Sequence, residues 1–374
     1  MKVPLPGFKN AFAGKTVWVS GHTGFKGAWL CEWLLALGAR VHGFSVDVPT
    51  DPALFDQLEL SGRMAKNEVA DIRDARAVRR SIDTTAPDYV FHLAAQPLVL
   101  KSYDDPEPTW NINVNGTIHL LEALRHLDRP CAAIIVTSDK SYENHETGQA
   151  YVETDSLGGF DPYSASKGAA EVATSAWRRS FFLKGPVRVA SARAGNVIGG
   201  GDWAPDRIVP DCVRYLSRDT PIQVRNRHAV RPWQHVLEPL SGYLWLAASM
   251  ASGDWAPTEA KRASAAAFNF GPDDESNRTV KDLVEEVLKH WPGIWIDQTD
   301  PKAVHEAGLL ALATGKARAQ LGWRPVWNFS EAIAHTVDWY QGVLGGASAA
   351  QMTRAQIEAY CRLAVEYQVR WTSV

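Results

Sequence analysis

Thr16-Val-Trp-Val-Ser-Gly-His-Thr-Gly-Phe-Lys-Gly27 decides the fold. Thr16 to Ser20 reads as a buried parallel strand, and Ala28 to Leu37 reads as the helix that follows it, ended by Gly38. Between them Gly21, Gly24 and Gly27 stand at G-x-x-G-x-x-G spacing, where strand turns into helix. Glycine there lets the backbone turn tightly and approach a pyrophosphate, which sits on the unpaired N–H groups and positive end of the helix. Gly21, His22, Thr23, Gly24, Phe25, Lys26 and Gly27 are therefore candidate contacts of a dinucleotide.

Outward from this turn the strand–helix unit recurs. Arg40 to Val46 is the second strand, with Asp47 at its carboxyl end. An acidic residue there can accept hydrogen bonds from an adenosine ribose and repel a 2'-phosphate, which favours NAD over NADP; the alternative is a solvated loop residue. Lys66 to Ala70 is a short third strand ending at Asp71 and Ile72, which are placed to meet the adenine, unless Asp71 merely caps a helix. Tyr89 to Leu93 is a fourth, running into Ala94-Ala95-Gln96. Small residues such as Ala94 and Ala95, with Leu93, leave room for a cofactor, and Gln96 offers an amide to a substrate. His92, inside the apolar run, reads as a satisfied core histidine. Trp110 to Leu127 is expected as one helix, within which Asn113 can hold water, backbone or the cofactor near the site. Ala132 to Val136 and Val187 to Ala192 supply the fifth and sixth strands.

Alternation of this kind implies an α/β fold, a Rossmann-type doubly wound parallel sheet with right-handed crossovers. Residues 1–193 are expected to form the dinucleotide-binding domain, with some later segments returning to it, and 194–374 mainly a smaller substrate-binding α/β region.

Two segments carry the chemistry. The fifth strand delivers Thr137-Ser-Asp-Lys140, and Asp161-Pro-Tyr-Ser-Ala-Ser-Lys167 opens a helix. Tyr163 and Lys167 are four residues apart, one turn apart on one helical face. A neighbouring cation favours a phenolate, so the pair can work as a base, and Ser138 can orient the reacting oxygen. Beyond Arg193 the texture turns glycine-rich and polar, and Arg207, Arg225, Arg227 and Arg231 follow. They form either a solvated face or a clamp for a diphosphate.

With 374 residues, 45% of them hydrophobic, the chain can bury a large core, and a net charge of -3 with pI near 6.4 gives no reason to expect nucleic acid or an anionic membrane as partner. Cys31, Cys131, Cys212 and Cys361 are far apart, which suggests neither a metal site nor a disulfide framework, but reduced thiols in the cytoplasm. No secretory signal or membrane span is expected from the sequence.

The chain resembles the extended short-chain dehydrogenase/reductase family, and within it the nucleotide-sugar 4,6-dehydratases of the CDP-glucose branch. The resemblance rests on Ser20 to Leu30, Thr137 to Lys140, Asp161 to Lys167, Gly195-Asn-Val-Ile-Gly-Gly-Gly-Asp-Trp203 and Arg231-Pro-Trp-Gln-His-Val236, with Asn269-Phe-Gly-Pro272 a looser landmark. It implies a catalytic trio of Ser138, Tyr163 and Lys167, with Asn196, Arg207 and Arg231 around the nucleotide diphosphate. The dTDP-sugar members carry Asp-Glu where this chain has Asp139-Lys140. The expected reaction runs by oxidation at C4, loss of water across C5 and C6 with Lys140 as base and Asp139 as acid, and return of hydride to C6. A 4-epimerase would share the glycine turn, Tyr163 and Lys167 but needs no elimination pair; a dinucleotide-sensing regulator would need neither. The family resemblance further implies a homodimer or homotetramer, and supply of deoxysugars for a cell-surface polysaccharide.

Overall fold

The structure is a computed structural model that describes residues 7–252, 267–299 and 310–373. Its centre is a parallel sheet built from β1 (Thr16–Ser20), β2 (Arg40–Ser45), β3 (Lys66–Val69), β4 (Tyr89–His92), β5 (Cys131–Val136) and β6 (Val187–Ala194), closed by the strand Ala267–Phe270. The spatial order is β3-β2-β1-β4-β5-β6 and then Ala267–Phe270, every pairing parallel. The chain winds one way from β1 to β3 and the other way from β4 onward. The crevice therefore opens between the carboxyl ends of β1 and β4, where open α/β sheets bind ligands.

The central strands read as unbroken apolar runs because both of their faces are covered. Along β5, Ala132, Ile134 and Val136 join one core while Cys131, Ala133 and Ile135 join the other; Trp18 of β1 parts company with Val17 and Val19 in the same way. The first core is shared with helix α1 (Phe25–Ala36), the Leu237–Ser252 helix and the C-terminal helices Phe329–Leu344 and Ala349–Glu366. The second lies beneath Ala75–Thr85 and Gly116–Arg125. Buried indoles find acceptors across this packing, Trp18 on Ser81 at 3.0 Å, Trp29 on the Gly200 carbonyl at 2.9 Å and Trp323 on Ser241 at 2.9 Å.

Two expectations need correction. The sheet has a seventh strand, Ala267–Phe270, which pairs with β6 at Asn269↔Arg193, so chain beyond residue 194 completes the sheet. And Trp110 to Leu127 is not one regular helix: Pro106–Trp110 passes through a wider π-turn, Asn111–Asn115, before Gly116–Arg125 resumes α geometry. The polar run Asn111-Ile-Asn-Val-Asn115 is what is wound into that turn, a feature that often marks a functional site. All four cysteines are buried and unpaired, and among the described residues no helix is long and apolar enough to cross a membrane.

Candidate active site at the switch point of the sheet

The glycine turn is tight enough to need its glycines. Gly21 has φ +70°, and a Cβ there would come 2.7 Å from the Ala94 nitrogen; one at Gly27 would come 2.1 Å from the Gly21 oxygen. Helix α1 starts at Phe25 with Gly24 as its N-cap and no side chain capping it. Its first-turn N–H groups are therefore left for an anion, and the turn fits a dinucleotide pyrophosphate. The side chains between the glycines go elsewhere. His22 is fully buried, lies against Gly43 and hydrogen-bonds Asn67 at 2.7 Å; Thr23 donates to the Asp47 carbonyl at 2.6 Å. Both tie the turn to β2 and β3. Phe25 approaches Gly199, and Lys26 runs inward to stand 5.8 Å over the Tyr243 ring.

On the adenosine side the expected residues divide. Asp47 is exposed just past β2, as a ribose contact requires. The Asp71 carboxylate is held by a bidentate pair with Arg73, Nε to Oδ1 at 3.0 Å and Nη2 to Oδ2 at 2.5 Å, and the Ile72 side chain is buried against Gly116. Leu93, Ala94 and Ala95 are half-buried beyond β4, and the Ser20 hydroxyl receives the Leu93 and Ala94 N–H groups at 3.2 Å each. His92 is the satisfied core histidine expected, bonded to Ser20 at 2.7 Å and Thr117 at 3.1 Å, with burial pushing it down to about 3.

Gln96 was expected to face a ligand and is instead braced internally, while Asn113 holds backbone near the site. The Gln96 amide donates to the Leu98 carbonyl and to Thr109, and accepts from the Leu98 N–H at 2.6 Å. Asn113 accepts from the Gln96 N–H at 2.8 Å and donates to Ser166 at 2.9 Å. Ser166 lies between Tyr163 and Lys167, so Asn113 locks the loop after β4 to the helix that carries them.

That helix, Pro162–Phe181, starts cleanly. Asp161 caps it by accepting the Ser164 N–H at 2.9 Å, and Pro162 fills the first position, where no N–H is needed. Tyr163 and Lys167 are both buried, with the ammonium 6.0 Å from the ring centroid. Opposite them stands the end of β5. Ser138 donates to Asp139 Oδ1 at 2.9 Å and accepts the Lys140 N–H at 3.2 Å, and its hydroxyl faces the Tyr163 phenol closely enough to draw it downward. Asp139 is 2% exposed, and its second oxygen, Oδ2, has no hydrogen-bond partner. Burial raises its carboxyl above the ordinary range, against the pull of Lys140, Ser138 and Arg231. Lys140 is half-buried beside it.

One electrostatic expectation fails in the protein alone. Burial pushes the Tyr163 phenol up to about 12, although Ser138 and the charge of Arg207 pull the other way. Lys167 does not offset that burial; it is itself pushed down to about 8 by burial, against the carboxylate of Glu171. A phenolate here needs a further positive charge.

The four arginines separate into two pairs. Arg225 and Arg227 are exposed and engaged with Asp206 at 2.6 Å and Asp297 at 3.3 Å. Arg231 is buried, and Arg207, held by Asp202 at 2.8 Å, projects its charge onto Tyr163 and Lys26. Asn196 is half-buried at the start of the glycine-rich loop. Two residues of the site, Glu171 and Arg193, escape a reading of motifs, and a third, Lys26, is read there only as a dinucleotide contact. Lys26, pushed down to about 8 by burial and by Arg207 and Lys167, joins the centre from the glycine turn. Glu171 and Arg193 form a buried ion pair at 2.8 Å beneath Lys167, with Ser191 donating to Glu171 at 2.7 Å and Arg193 donating to Tyr142 at 2.7 Å. The spacing of Glu171, one turn beyond Lys167, is the signal that could have found it.

A family model described as GDP-mannose 4,6 dehydratase matches residues 18–336. The chain is 43% identical over 359 residues to the CDP-glucose 4,6-dehydratase of Salmonella typhimurium, covering 94% of this chain and 98% of that one. Among solved structures, the UDP-glucose 4-epimerase of Thermus thermophilus in complex with NAD superposes with a TM-score of 0.71 at 24% identity, covering 87% of this chain and 99% of that one. The dTDP-glucose 4,6-dehydratase of Bacillus anthracis, also with NAD, gives 0.69 at 19% identity, covering 87% and 96%. The first two matches extend across the glycine turn, β5 and the Tyr163 helix alike, and on them the chain belongs to the GDP-mannose 4,6 dehydratase family.

Proposed function

We propose that the protein converts CDP-D-glucose to CDP-4-dehydro-6-deoxy-D-glucose with NAD as a cofactor that ends each cycle unchanged. The carrying observation is the buried Asp139 beside Lys140, sharing Ser138 with Tyr163. An epimerase needs the tyrosine and lysine alone; an acid–base pair at the same strand end is what removal of water requires. Likeness to the Salmonella CDP-glucose enzyme supports cytosine as the base.

The glycine turn, with Asp47 toward the ribose and Leu93 to Ala95 along its path, would hold NAD, which would supply a hydride acceptor for C4, a hydride donor for C6 and the positive charge that Tyr163 lacks. Tyr163 as phenolate takes the 4-hydroxyl proton, while Ser138 and Lys167 hold phenol and reacting oxygen in place. The ketone so formed acidifies C5–H, and Lys140 takes that proton. Asp139, which burial helps to keep protonated, gives its proton to the departing C6 hydroxyl. Lys140 then returns its proton to C5. Arg207, Arg231 and Asn196 hold the nucleotide diphosphate and sugar, guanidinium groups being suited to bidentate contact with phosphate oxygens.

The cofactor domain is read as residues 1–193 with Ala267–Phe270, the remainder serving mainly the substrate. Exposed Val172 and Phe181 on the Tyr163 helix and Trp110 nearby support pairing of two copies through these helices. Free cysteines and a nucleotide-linked substrate fit a cytoplasmic enzyme that supplies a deoxysugar. The test is incubation with CDP-, dTDP-, UDP- and GDP-hexoses and mass spectrometry. Loss of one water from CDP-glucose with no net NADH is expected; an isomeric product of unchanged mass would instead mean an epimerase.

A further inference from the structure

Resting on that reading, one turnover leaves the site out of balance by a proton. Tyr163 begins as a phenolate and ends protonated by the 4-hydroxyl. Asp139 begins as an acid and ends as a carboxylate, its proton gone into the leaving water. Lys140 takes the C5 proton and gives it back, so it resets itself. Before the next substrate can react, one proton must move from Tyr163 to Asp139, and these groups are only 8% and 2% exposed.

We propose that Ser138 carries this proton internally: the Tyr163 O–H donates to Ser138 Oγ as the Ser138 O–H donates to Asp139 Oδ1, restoring phenolate and acid without exchange with bulk water. Ser138 donates to Asp139 at 2.9 Å, and its hydroxyl is close enough to the Tyr163 phenol to draw it downward. A hydroxyl has one proton and two lone pairs. Here one lone pair takes the Lys140 N–H at 3.2 Å, and that N–H cannot accept. When Tyr163 donates to the other lone pair, the serine proton has Asp139 as its acceptor. In this exchange the Tyr163 O–H and the original Ser138 O–H break, new O–H bonds form on Ser138 and Asp139, and no electrons are transferred between groups. The unpartnered Oδ2 lies beside Gly195, where a Cβ would come 3.0 Å from it, and a half-turn of the carboxyl group would carry the proton received on Oδ1 into that position for the C6 hydroxyl. Because the phenol is pushed up to about 12 even with the charge of Arg207 acting on it, the proton leaves Tyr163 only when a cofactor cation is added, which puts the reset after hydride return. The 4-hydroxyl proton of one substrate therefore passes to Ser138 at the first reset and to Asp139 at the second, and leaves in the water released from the next substrate but one.

Rapid-quench kinetics on the NAD-loaded protein with CDP-glucose test this. Ser138→Ala is expected to form a first equivalent of 4-keto product per site in a burst and then to turn over at least about tenfold more slowly. Imidazolium buffer, a small proton donor, should raise that slow rate in proportion to its concentration and leave the burst unchanged. Ser138→Thr, which keeps the hydroxyl, should show no burst. If Ser138→Ala slows first and later turnovers by one common factor, or slows neither, the serine only orients the reacting oxygen and the relay is overturned. Failure of the parent protein to make 4-keto product from any nucleotide hexose would instead count against the proposed function itself.

Discussion

Glu171 touches no reacting group in the proposed mechanism, yet its charge should set the alkaline limit of the enzyme. It sits one turn beyond Lys167, buried, in a 2.8 Å pair with Arg193. Lys167 is pushed down to about 8 by burial, and the Glu171 carboxylate is what keeps it from falling further. Helix neighbours at this spacing hold their charges about 6 Å apart, which at an effective dielectric of about 20 is worth about 3 kcal/mol, or about two pH units as an upper limit. Lys167 must stay protonated to steady the phenolate, so activity in the parent should fall as pH rises through about 8. Glu171→Gln removes the anion and leaves the Arg193 charge uncompensated, and both changes push Lys167 down. The alkaline limb of kcat/KM should therefore move to lower pH by about one to two units. Lys26 is also lowered to about 8, but by burial, Arg207 and Lys167, with Glu171 absent from the charges that act on it. A limb that belonged to Lys26 would not move to lower pH, because earlier loss of the Lys167 charge can only raise it. The assay is kcat/KM for CDP-glucose against pH in parent and variant, with thermal melting alongside, because an unpaired buried arginine costs about 3–5 kcal/mol. A folded Glu171→Gln protein whose alkaline limb has not moved would refute the assignment of that limb to Lys167.

Tyr163→Phe should lower kcat by about a hundredfold to ten-thousandfold with little change in CDP-glucose affinity by calorimetry; an unimpaired variant would remove the phenol from the mechanism. Gly27→Ala places a Cβ 2.1 Å from the Gly21 oxygen and 2.8 Å from His22 Cα, so the turn must open. Overpacking of this kind costs about 1–3 kcal/mol, and NAD affinity by titration calorimetry should fall by about tenfold or more; retained affinity would show that the turn yields without cost. Lys26→Met replaces a buried cation by an apolar side chain of similar shape. The cofactor-free protein should gain about 1–3 kcal/mol and melt a few degrees higher, while turnover falls. A lower melting temperature would mean that Lys26 holds the fold rather than the site.

The sheet was legible because strands covered on both faces leave unbroken apolar runs, and the glycine turn because backbone crowding admits no other residue. The strand Ala267–Phe270 was not: four residues give no periodicity, and only the pairing of Asn269 with Arg193 across more than seventy positions makes them a strand. Gln96 and Asn113 show the limit for polar residues. Their type announces a hydrogen-bonding role, but whether the partner is a ligand or each other is settled by which loop meets which helix. Lys26 was read as part of a phosphate-binding turn because it stands between two glycines. Its four-carbon stem carries the charge past the backbone and into the catalytic centre, a direction that spacing along the chain does not contain.

That direction has a thermodynamic consequence. Lys26, Lys167, Arg207 and Arg231 converge on a site whose buried carboxylates are Glu171 and Asp202, with Asp139 serving as an acid, within a protein of net charge -3. Burial has already driven Lys26 and Lys167 down to about 8, so the empty site holds its cations at a cost. A nucleotide diphosphate arriving beside them relieves it, raises both lysines and draws protons onto the protein. Binding of CDP-glucose should therefore take up protons near pH 8, and calorimetric heats should vary with the ionisation enthalpy of the buffer. If heats at that pH are the same in Tris and phosphate, the excess charge is not what recognises the diphosphate.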